Sequence, residues 1–134
     1  IDNTDTPAEA GLGFAVALDK PGGFVGRDAV LARRAQGPLS RRLLQVLVRD
    51  PEPLMFHAEV VRRDGREVGY IRAASYGFTL CGAVGLAMID AGGEPLTQDW
   101  IDRGDWEVDI AGTRYPASAS IRPLYDPTMA RIKA

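Results

Sequence analysis

Residues 63–89 read RDGREVGYIRAASYGFTLCGAVGLAMI, and this stretch decides the predicted fold. The dipeptide Asp64-Gly65 predicts a tight turn, because glycine adopts a positive φ without steric cost. Residues 67–71 follow it and alternate in side-chain character, as a half-buried strand does. Residues 83–89 form an apolar run that has the length of a buried strand and is too short to cross a membrane. The stretch therefore predicts short strands joined by tight turns.

The remainder of the chain after residue 37 continues this pattern. Strands are predicted at residues 43–48, 58–62, 67–73, 84–89, 106–110 and 114–120, with a helical turn at 96–102. Pro51 and Pro53 separate the first two strands, because neither a strand interior nor a helix interior tolerates proline well. Short strands at near-regular spacing are typical of a small antiparallel barrel or sandwich. We expect a mainly-β (α+β) fold.

Residues 1–37 have a different character and predict a helix, a strand and a second helix. Thr6 has the position of an N-cap, with Pro7 at the first helical position and Glu9 three residues after the cap. Glu9 is therefore expected to cap or pack locally. The first helix would end near Gly11 or Gly13, and the later elements are expected at residues 14–18 and 27–35. Because Gly37-Pro38 stops the second helix, an internal boundary is predicted there, and the start at Ile1 suggests a piece of a longer protein.

Composition limits the possible functions. The 134 residues suffice for one well-buried domain, and their net charge of -2 disfavours a nucleic-acid-binding surface. With one cysteine, Cys81, the sequence has no internal disulfide framework, which fits a reducing, cytoplasmic location. With one histidine, His57, it offers neither a metal-binding cluster nor a Ser-His-Asp triad built on a second histidine. We predict no catalytic residue and no metal site, and expect Cys81 to be buried or inert and His57 to lie in a loop.

Two charged segments have both a functional and a structural interpretation. Residues 20–26, KPGGFVG, lack the spacing of a phosphate-binding loop and are predicted to form a glycine turn. Lys20 would then be either a solvated lysine or a cation placed to meet a ligand carboxylate. The acidic residues between 99 and 109 surround Trp100 and Trp106, and we interpret them as a solvated loop above packed tryptophans.

Tyr76 and Phe78 flank Gly77 and would share one face of an extended segment. Two aromatic rings with a glycine between them are suited to stacking on a flat heterocycle. The same two rings would also serve as ordinary core residues. The spacing alone favours neither interpretation.

Several blocks of the sequence resemble the glycine-cleavage T-protein (aminomethyltransferase) family. The first block comprises residues 6–16, TPAEAGLGFAV, followed by Lys20 and by residues 24–27, FVGR. A second set is similar to the C-terminal part of dimethylglycine and sarcosine dehydrogenases, which are FAD enzymes with a T-protein-like folate module. That set comprises residues 50–54, 63–65, 68–70, 74–80, 114–117 and 124–127. The resemblance covers nearly the whole chain.

The resemblance implies an architecture and a function. Residues 1–37 would be the end of the central folate-binding domain, and residues 38–134 would be a small antiparallel β-barrel. In such enzymes a separate FAD domain oxidises an N-methyl amine, and the folate module passes the one-carbon unit to tetrahydrofolate. Lys20 corresponds to a basic residue facing the glutamate or benzoyl end of folate. Tyr76, Gly77 and Phe78 occupy a loop that approaches the folate cavity.

The expected partners are the upstream FAD and folate domains, an N-methyl amine substrate and, in a homo-oligomer, a second copy of the chain. No nucleic-acid or membrane partner is expected. Because the family's main pteridine-binding carboxylate precedes the first residue, this piece alone is expected to be inactive. Two alternatives stay open, a flavin-free T-protein-type aminomethyltransferase or demethylase, and a non-catalytic barrel module.

Overall fold

The computed structural model describes residues 1–131 and 133. Within them the ordered elements are a 3₁₀ turn at Gly13–Ala15, α1 (Arg27–Ala35), β1 (Arg41–Val48), β2 (Val60–Arg63), β3 (Arg66–Gly77), β4 (Gly82–Asp90), α2 (Gln98–Asp102), β5 (Trp106–Ile110) and β6 (Thr113–Ser120). The strands form a closed antiparallel barrel in the order β1-β4-β3-β2-β5-β6. This confirms the predicted mainly-β fold and decides in favour of a barrel. In the described part of the chain, no helix is long and apolar enough to span a membrane.

The barrel core follows from the two-residue period of its strands. In β1, Leu44, Val46 and Val48 point inward and are almost completely buried, while the residues between them are only partly covered. Fully burying such a side chain contributes roughly 1.5–3 kcal/mol. The other inward residues from the remaining strands are Val61, Ile71, Ala83, Ala87, Ile89, Val108 and Ala117. The alternation of inward-facing and outward-facing side chains along each strand therefore builds one continuous core inside the barrel.

The predicted turns and close approaches are present in the barrel. Asp64 and Gly65 have φ values of 52° and 75°, which confirms the tight turn between β2 and β3. At Gly69 a side chain would collide with the carbonyl oxygen of Met88 on the neighbouring strand. At Gly82 a Cβ atom would lie 2.7 Å from the carbonyl oxygen of Val48. These two glycines allow strands to approach more closely than any other residue would permit.

The N-terminal region differs from its prediction. The capping contacts are confirmed, because Glu9 Oε2 accepts hydrogen bonds from the backbone nitrogen and the hydroxyl of Thr6 at 2.9 and 2.7 Å. The predicted helix after Thr6 is wrong, since residues 7–11 form only hydrogen-bonded turns. The predicted strand at residues 14–18 is also wrong. A closed barrel leaves no free strand edge for that segment to join, and Phe14 remains 88% exposed. The helix predicted at residues 27–35 is confirmed as α1.

Residues 1–11, here called the N-terminal arm, dock onto the barrel through buried charge. The carboxylate of Asp5 is fully buried and pairs with Arg41 at 2.8 Å and with Arg72 at 3.2 Å. Asp2 also pairs with Arg72, at 2.9 Å. Hydrogen bonds from the side chain and backbone of Thr4, and then from Arg72, hold the pKa of Asp2 well below its usual value. Arg72 occupies the bulge of β3, which turns its side chain toward the arm.

Burial acts to raise the pKa of Glu9, but hydrogen bonds from Thr6 and the positive charges of Arg41 and Arg33 outweigh it. The pKa of Glu9 is lowered as a result. The carbonyl oxygen of Glu9 accepts a hydrogen bond from the backbone nitrogen of Leu43 at 2.8 Å. The capped turn is thereby fixed to the first residues of β1.

The packing of the two tryptophans is confirmed, but the acidic residues around them lie on α2, on β5 and in the turn between these elements and do not form one loop. Trp106 is buried, and its indole meets that of Trp100 edge to face with ring centroids 5.8 Å apart. Arg63 lies over the Trp100 ring at 4.0 Å. The helical turn predicted at residues 96–102 is α2, and the Thr97 hydroxyl accepts a hydrogen bond from the backbone nitrogen of Trp100 at its start. The indole nitrogen of Trp106 donates to the carbonyl oxygen of Ile101 at 2.9 Å, so this cluster ties α2 to β5.

Candidate functional site at the hairpin between β3 and β4

The strands β3 and β4 form the longest hairpin of the described chain and carry the predicted aromatic residues at its tip. Their pairing continues from Gly69–Ile89 to Gly77–Gly82. A turn closes the tip, with the backbone nitrogen of Leu80 donating to the carbonyl oxygen of Gly77 at 2.9 Å. The register thus presents Tyr76 to Cys81 as one projecting segment, here called the hairpin tip.

The hairpin tip brings the two predicted aromatic rings together. Tyr76 ends the strand region and is half-buried, whereas Phe78 lies in the turn with 86% of its surface exposed. Their rings meet at an interplanar angle of 66° with centroids 5.3 Å apart. The core interpretation of Phe78 is therefore wrong, since a ring this exposed contributes little to the barrel interior. Phe78 instead presents an apolar ring to solvent, in contact with the half-buried ring of Tyr76.

A groove of about 370 Å³ runs beside the hairpin tip. Its lining residues, which define the hairpin groove, are Gln45, Gly77, Phe78, Thr79, Leu80, Val84 and Tyr125. Among these residues there is no charged side chain, so the groove is suited to a neutral or weakly polar ring system. The Gln45 side chain fixes the far wall, because its Oε1 accepts a hydrogen bond from the backbone nitrogen of Leu124 at 2.8 Å.

Lys20 is placed apart from the hairpin groove. It is exposed in a turn of the segment before α1 and is not among the residues that line the groove. The strand that was expected to hold it does not form. The adjoining glycine turn is confirmed, with Gly22 and Gly23 at positive φ and Phe24 half-buried beside them.

Of the two remaining candidates, His57 lies exposed in a loop, as predicted. Cys81 was expected to be buried or inert; it is not buried, because the thiol is exposed at the hairpin tip, and its inertness stays a prediction. Cys81 has a φ of 53°, and its Sγ donates to the carbonyl oxygen of Phe78 at 3.5 Å. Tight hairpin closure forces this residue outward despite its apolar neighbours. Within the described residues no group of three or more His, Cys, Asp or Glu side chains is arranged to hold a metal ion.

Sequence reasoning missed Gln45 and Tyr125 as groove residues. Gln45 is the polar residue within the otherwise apolar run of residues 43–48, and this break in the pattern could have identified it. Tyr125 lies about 80 residues away from β1 along the chain, and its approach depends on the tertiary path of the C-terminal segment. Arg131 lies 5.5 Å from the Tyr125 ring and supports its orientation.

Comparison with known proteins places this geometry in context. Residues 41–126 match the family described as the glycine cleavage T-protein C-terminal barrel domain. The chain is 40% identical over 133 residues to 4-methylaminobutanoate oxidase (formaldehyde-forming) of Paenarthrobacter nicotinovorans, covering 99% of this chain and 15% of that protein. It is 37% identical to mitochondrial sarcosine dehydrogenase of Homo sapiens, covering 96% and 14%. An aminomethyltransferase from Nostoc sp. is 35% identical, with coverage of 93% and 31%.

A solved structure supports the fold. The glycine cleavage system aminomethyltransferase T of Bartonella henselae superposes with a TM-score of 0.67 at 20% identity, over 86% of this chain and 30% of that one. The chain thus spans about 15% of the length of its oxidase and dehydrogenase relatives and about a third of the Nostoc aminomethyltransferase. On the family match and on these identities, the chain belongs to the glycine cleavage T-protein C-terminal barrel family.

Proposed function

We propose that this chain is the folate-side, C-terminal part of an FAD-dependent N-methyl amine dehydrogenase or oxidase. The observation that carries the proposal is the contact between the half-buried Tyr76 and the exposed Phe78 at the tip of the β3–β4 hairpin, beside a groove free of charged side chains. Such an edge is suited to packing against a pteridine ring. The 40% and 37% identical relatives are an N-methyl amine oxidase and a sarcosine dehydrogenase, and this supports an amine oxidoreductase as the parent enzyme.

The barrel's part in that reaction is to form one wall of the folate cavity. Tyr76 and Phe78 would pack on the ring system, and the apolar hairpin groove would keep water from the reactive one-carbon unit. Lys20 would face the glutamate or benzoyl end of folate from the segment before α1. Residues 1–37 would belong to the neighbouring folate-binding domain, with residues 38–134 forming the barrel domain. Residues 132 and 134 of that range lie outside the described residues.

The residues described here do not fit FAD. They form an antiparallel barrel, and among them there is no parallel β-α-β unit of the kind that binds a dinucleotide. We therefore assign FAD to another domain of the parent protein. The cytoplasmic location and the homo-oligomer stay predictions, and the human relative bears a mitochondrial name.

The first experiment determines the intact mass and the visible absorption spectrum of the source protein. A mass several-fold above that of 134 residues together with flavin absorbance supports the proposal. A large protein without flavin favours the aminomethyltransferase alternative, which the 35% identical relative supports.

A second experiment tests the hairpin tip in that full-length protein. Phe78→Ala is expected to weaken tetrahydrofolate binding about tenfold, because an aromatic contact contributes about 0.5–1.5 kcal/mol beyond its buried area. Phe56→Ala is the matched control, since Phe56 is also exposed but is absent from the lining of the hairpin groove. Equal affinities of both variants and the wild type would contradict the proposed role. Absence of tetrahydrofolate binding in the wild type would favour a non-catalytic barrel.

A further inference from the structure

A cavity between the N-terminal arm and α1, here called the slot, has no part in the function proposed above. Its volume is about 400 Å³, and residues 3–8 of the arm form one wall. Ala29, Val30, Arg33 and Arg34 of α1 form another wall. Apart from the two arginines, the side chains that α1 contributes to the slot are apolar, so the slot is suited to an apolar occupant.

The helix that lines the slot buries none of its side chains. In the described structure, none of the 9 residues of α1 is buried. A helix of this length is marginal in water unless one of its faces packs against another element. Val25, just before α1, is fully exposed, and Phe14, earlier in the same segment, is 88% exposed. Exposed apolar side chains beside a helix that buries nothing indicate a segment that packs against another part of a polypeptide.

Both ends of this segment are nevertheless fixed to the barrel. Before it, the carbonyl oxygen of Glu9 accepts a hydrogen bond from the backbone nitrogen of Leu43 at 2.8 Å. After it, the carbonyl oxygen of Leu39 accepts one from the backbone nitrogen of Leu96 at 2.8 Å. The two walls of the slot are therefore held in place before any occupant arrives, which lowers the entropic cost of filling it.

The charge around the slot is mainly positive. Among the described residues that line it, Asp5 is the acidic one, and its carboxylate is already paired with two arginines of the barrel. Arg33 and Arg34 form no ion pair with any described residue. Arg33 helps to lower the pKa of Glu9, whereas Arg34 is exposed. An occupant that carries an acidic side chain beside its apolar ones complements this charge.

We propose that the slot receives an apolar segment of the parent protein that carries an acidic side chain and lies outside these 134 residues. This rests on the proposed function, because it takes the parent to be a longer enzyme of which the chain is one part. The chain covers 15% and 14% of its oxidase and dehydrogenase relatives, so most of such a parent lies elsewhere. A segment of the same polypeptide also has a higher effective concentration than a separate protein. Its apolar side chains, buried against Ala29 and Val30, supply the packing that α1 lacks.

The test is amide hydrogen exchange, read by mass spectrometry, in the full-length source protein and in the 134-residue chain. The amides of α1 are expected to exchange about tenfold more slowly in the full-length protein, because the packed segment has to leave before α1 opens. The amides of the largely buried strand β4 are the internal reference and report whether the shorter chain has folded. Equal exchange of α1 in the two proteins overturns the inference.

Two alanines of α1 give a matched pair of variants within the full-length protein. Both are exposed in the described structure, but Ala29 lines the slot and Ala32 does not. Ala29→Asp is expected to speed the exchange of α1 about tenfold, because it places an unpaired charge against the occupant, and Ala32→Asp by less than about twofold. Ala29 lies in the first turn, where an acidic residue favours the helix, so helix propensity does not explain such a loss. Equal effects of the two variants contradict the proposed contact.

Arg34 tests the acidic side chain of the occupant. Arg34→Glu is expected to speed the exchange of α1 in the full-length protein, because it replaces an attraction by a repulsion. Arg34→Lys keeps the charge and is expected to leave the exchange unchanged. If the two variants behave alike, the acidic occupant is excluded.

The outcomes separate this inference from the proposed function. If the source protein shows flavin absorbance and α1 is unprotected, the inference fails and the proposed function stands. If a large protein without flavin protects α1, the inference stands and the FAD-dependent function fails. If the protection of α1 in the 134-residue chain rises with its concentration, a second copy fills the slot and the inference is overturned.

Discussion

Replacement of Asp5 by asparagine tests whether the N-terminal arm is held by buried charge. The Asp5 carboxylate is completely buried and accepts hydrogen bonds from Arg41 at 2.8 Å, from Arg72 at 3.2 Å and from the backbone nitrogen of Asp2 at 2.8 Å. Asparagine preserves the shape of the side chain, so the substitution removes the charge and one acceptor without creating a cavity.

The size of the expected loss of stability follows from the burial of the Asp5 carboxylate and of its two arginine partners. Breaking a buried ion pair costs about 3–5 kcal/mol, and a hydrogen bond to a charged group is worth about 1.5–3 kcal/mol. The side chains of Arg41 and Arg72 are 29% and 15% exposed, so water partly solvates them once the carboxylate is gone. We therefore expect Asp5→Asn to lower the free energy of unfolding by about 2–3 kcal/mol, which corresponds to a fall in Tm of roughly 8–12 °C for a chain of this size.

The assay is urea denaturation and thermal melting of the two variants Asp5→Asn and Asp99→Asn. Asp99 pairs with Arg103 at 2.7 Å, a distance shorter than that of Asp5 to Arg41, but the two side chains are 65% and 75% exposed. The control is expected to change stability by less than about 0.5 kcal/mol. If the two variants lose equal stability, burial does not control the strength of these pairs and the reasoning is refuted. A double-mutant cycle with Arg41→Gln then measures the coupling directly.

Three further outcomes are expected. Folding lowers the pKa of Glu9, so the ionised carboxylate stabilises the fold fully at pH values above its ordinary pKa of 4.5. This stabilisation is lost as the pH falls through the lower pKa of the folded state. Thr6→Ala removes the hydroxyl that donates to Glu9 and is expected to reduce this acid dependence in thermal melts at a series of pH values. Gly69→Ala forces a side chain against a backbone carbonyl of β4 and is expected to destabilise the barrel by about 1–3 kcal/mol, whereas Gly13→Ala, where a Cβ meets nothing within 4 Å, is expected to be nearly neutral in the same denaturation assay. Cys81 is exposed, so it is expected to react with a thiol reagent in the folded state at a rate close to that of the unfolded chain, and strong protection would contradict the geometry of the hairpin tip.

The turns and strands of the barrel were predictable because each depends on residues that are close together in the sequence. Asp64-Gly65 requires positive φ, and the alternation in residues 43–48 places Leu44, Val46 and Val48 on one face whatever the remainder of the chain does. The capping contacts between Thr6 and Glu9 are also local, and they formed even where the helix did not. A capping box fixes only the first turn, and continuation of a helix needs an apolar face to pack against.

The candidate site was predictable in part. Tyr76, Gly77 and Phe78 were identified from the sequence, and the structure shows the aromatic pair in contact at an exposed tip. Their binding role and that of Lys20 stay predictions. The exposure of Cys81 was not predictable, since its apolar neighbours suggested burial and only the tightness of the hairpin turns it outward.

By itself, the sequence determined the strands after residue 37, the turns between them and the residues of the barrel core, because side-chain period and turn chemistry act over a few residues. The tertiary structure alone decided that the strands close into a barrel, that residues 14–18 have no edge to join, and that Asp5 reaches Arg41 and Arg72. It also brought Gln45 against the backbone of Leu124, and with it one wall of the hairpin groove. These features join residues about 35 to 80 positions apart in the chain, and such pairings depend on strand order and closure, which no local pattern encodes.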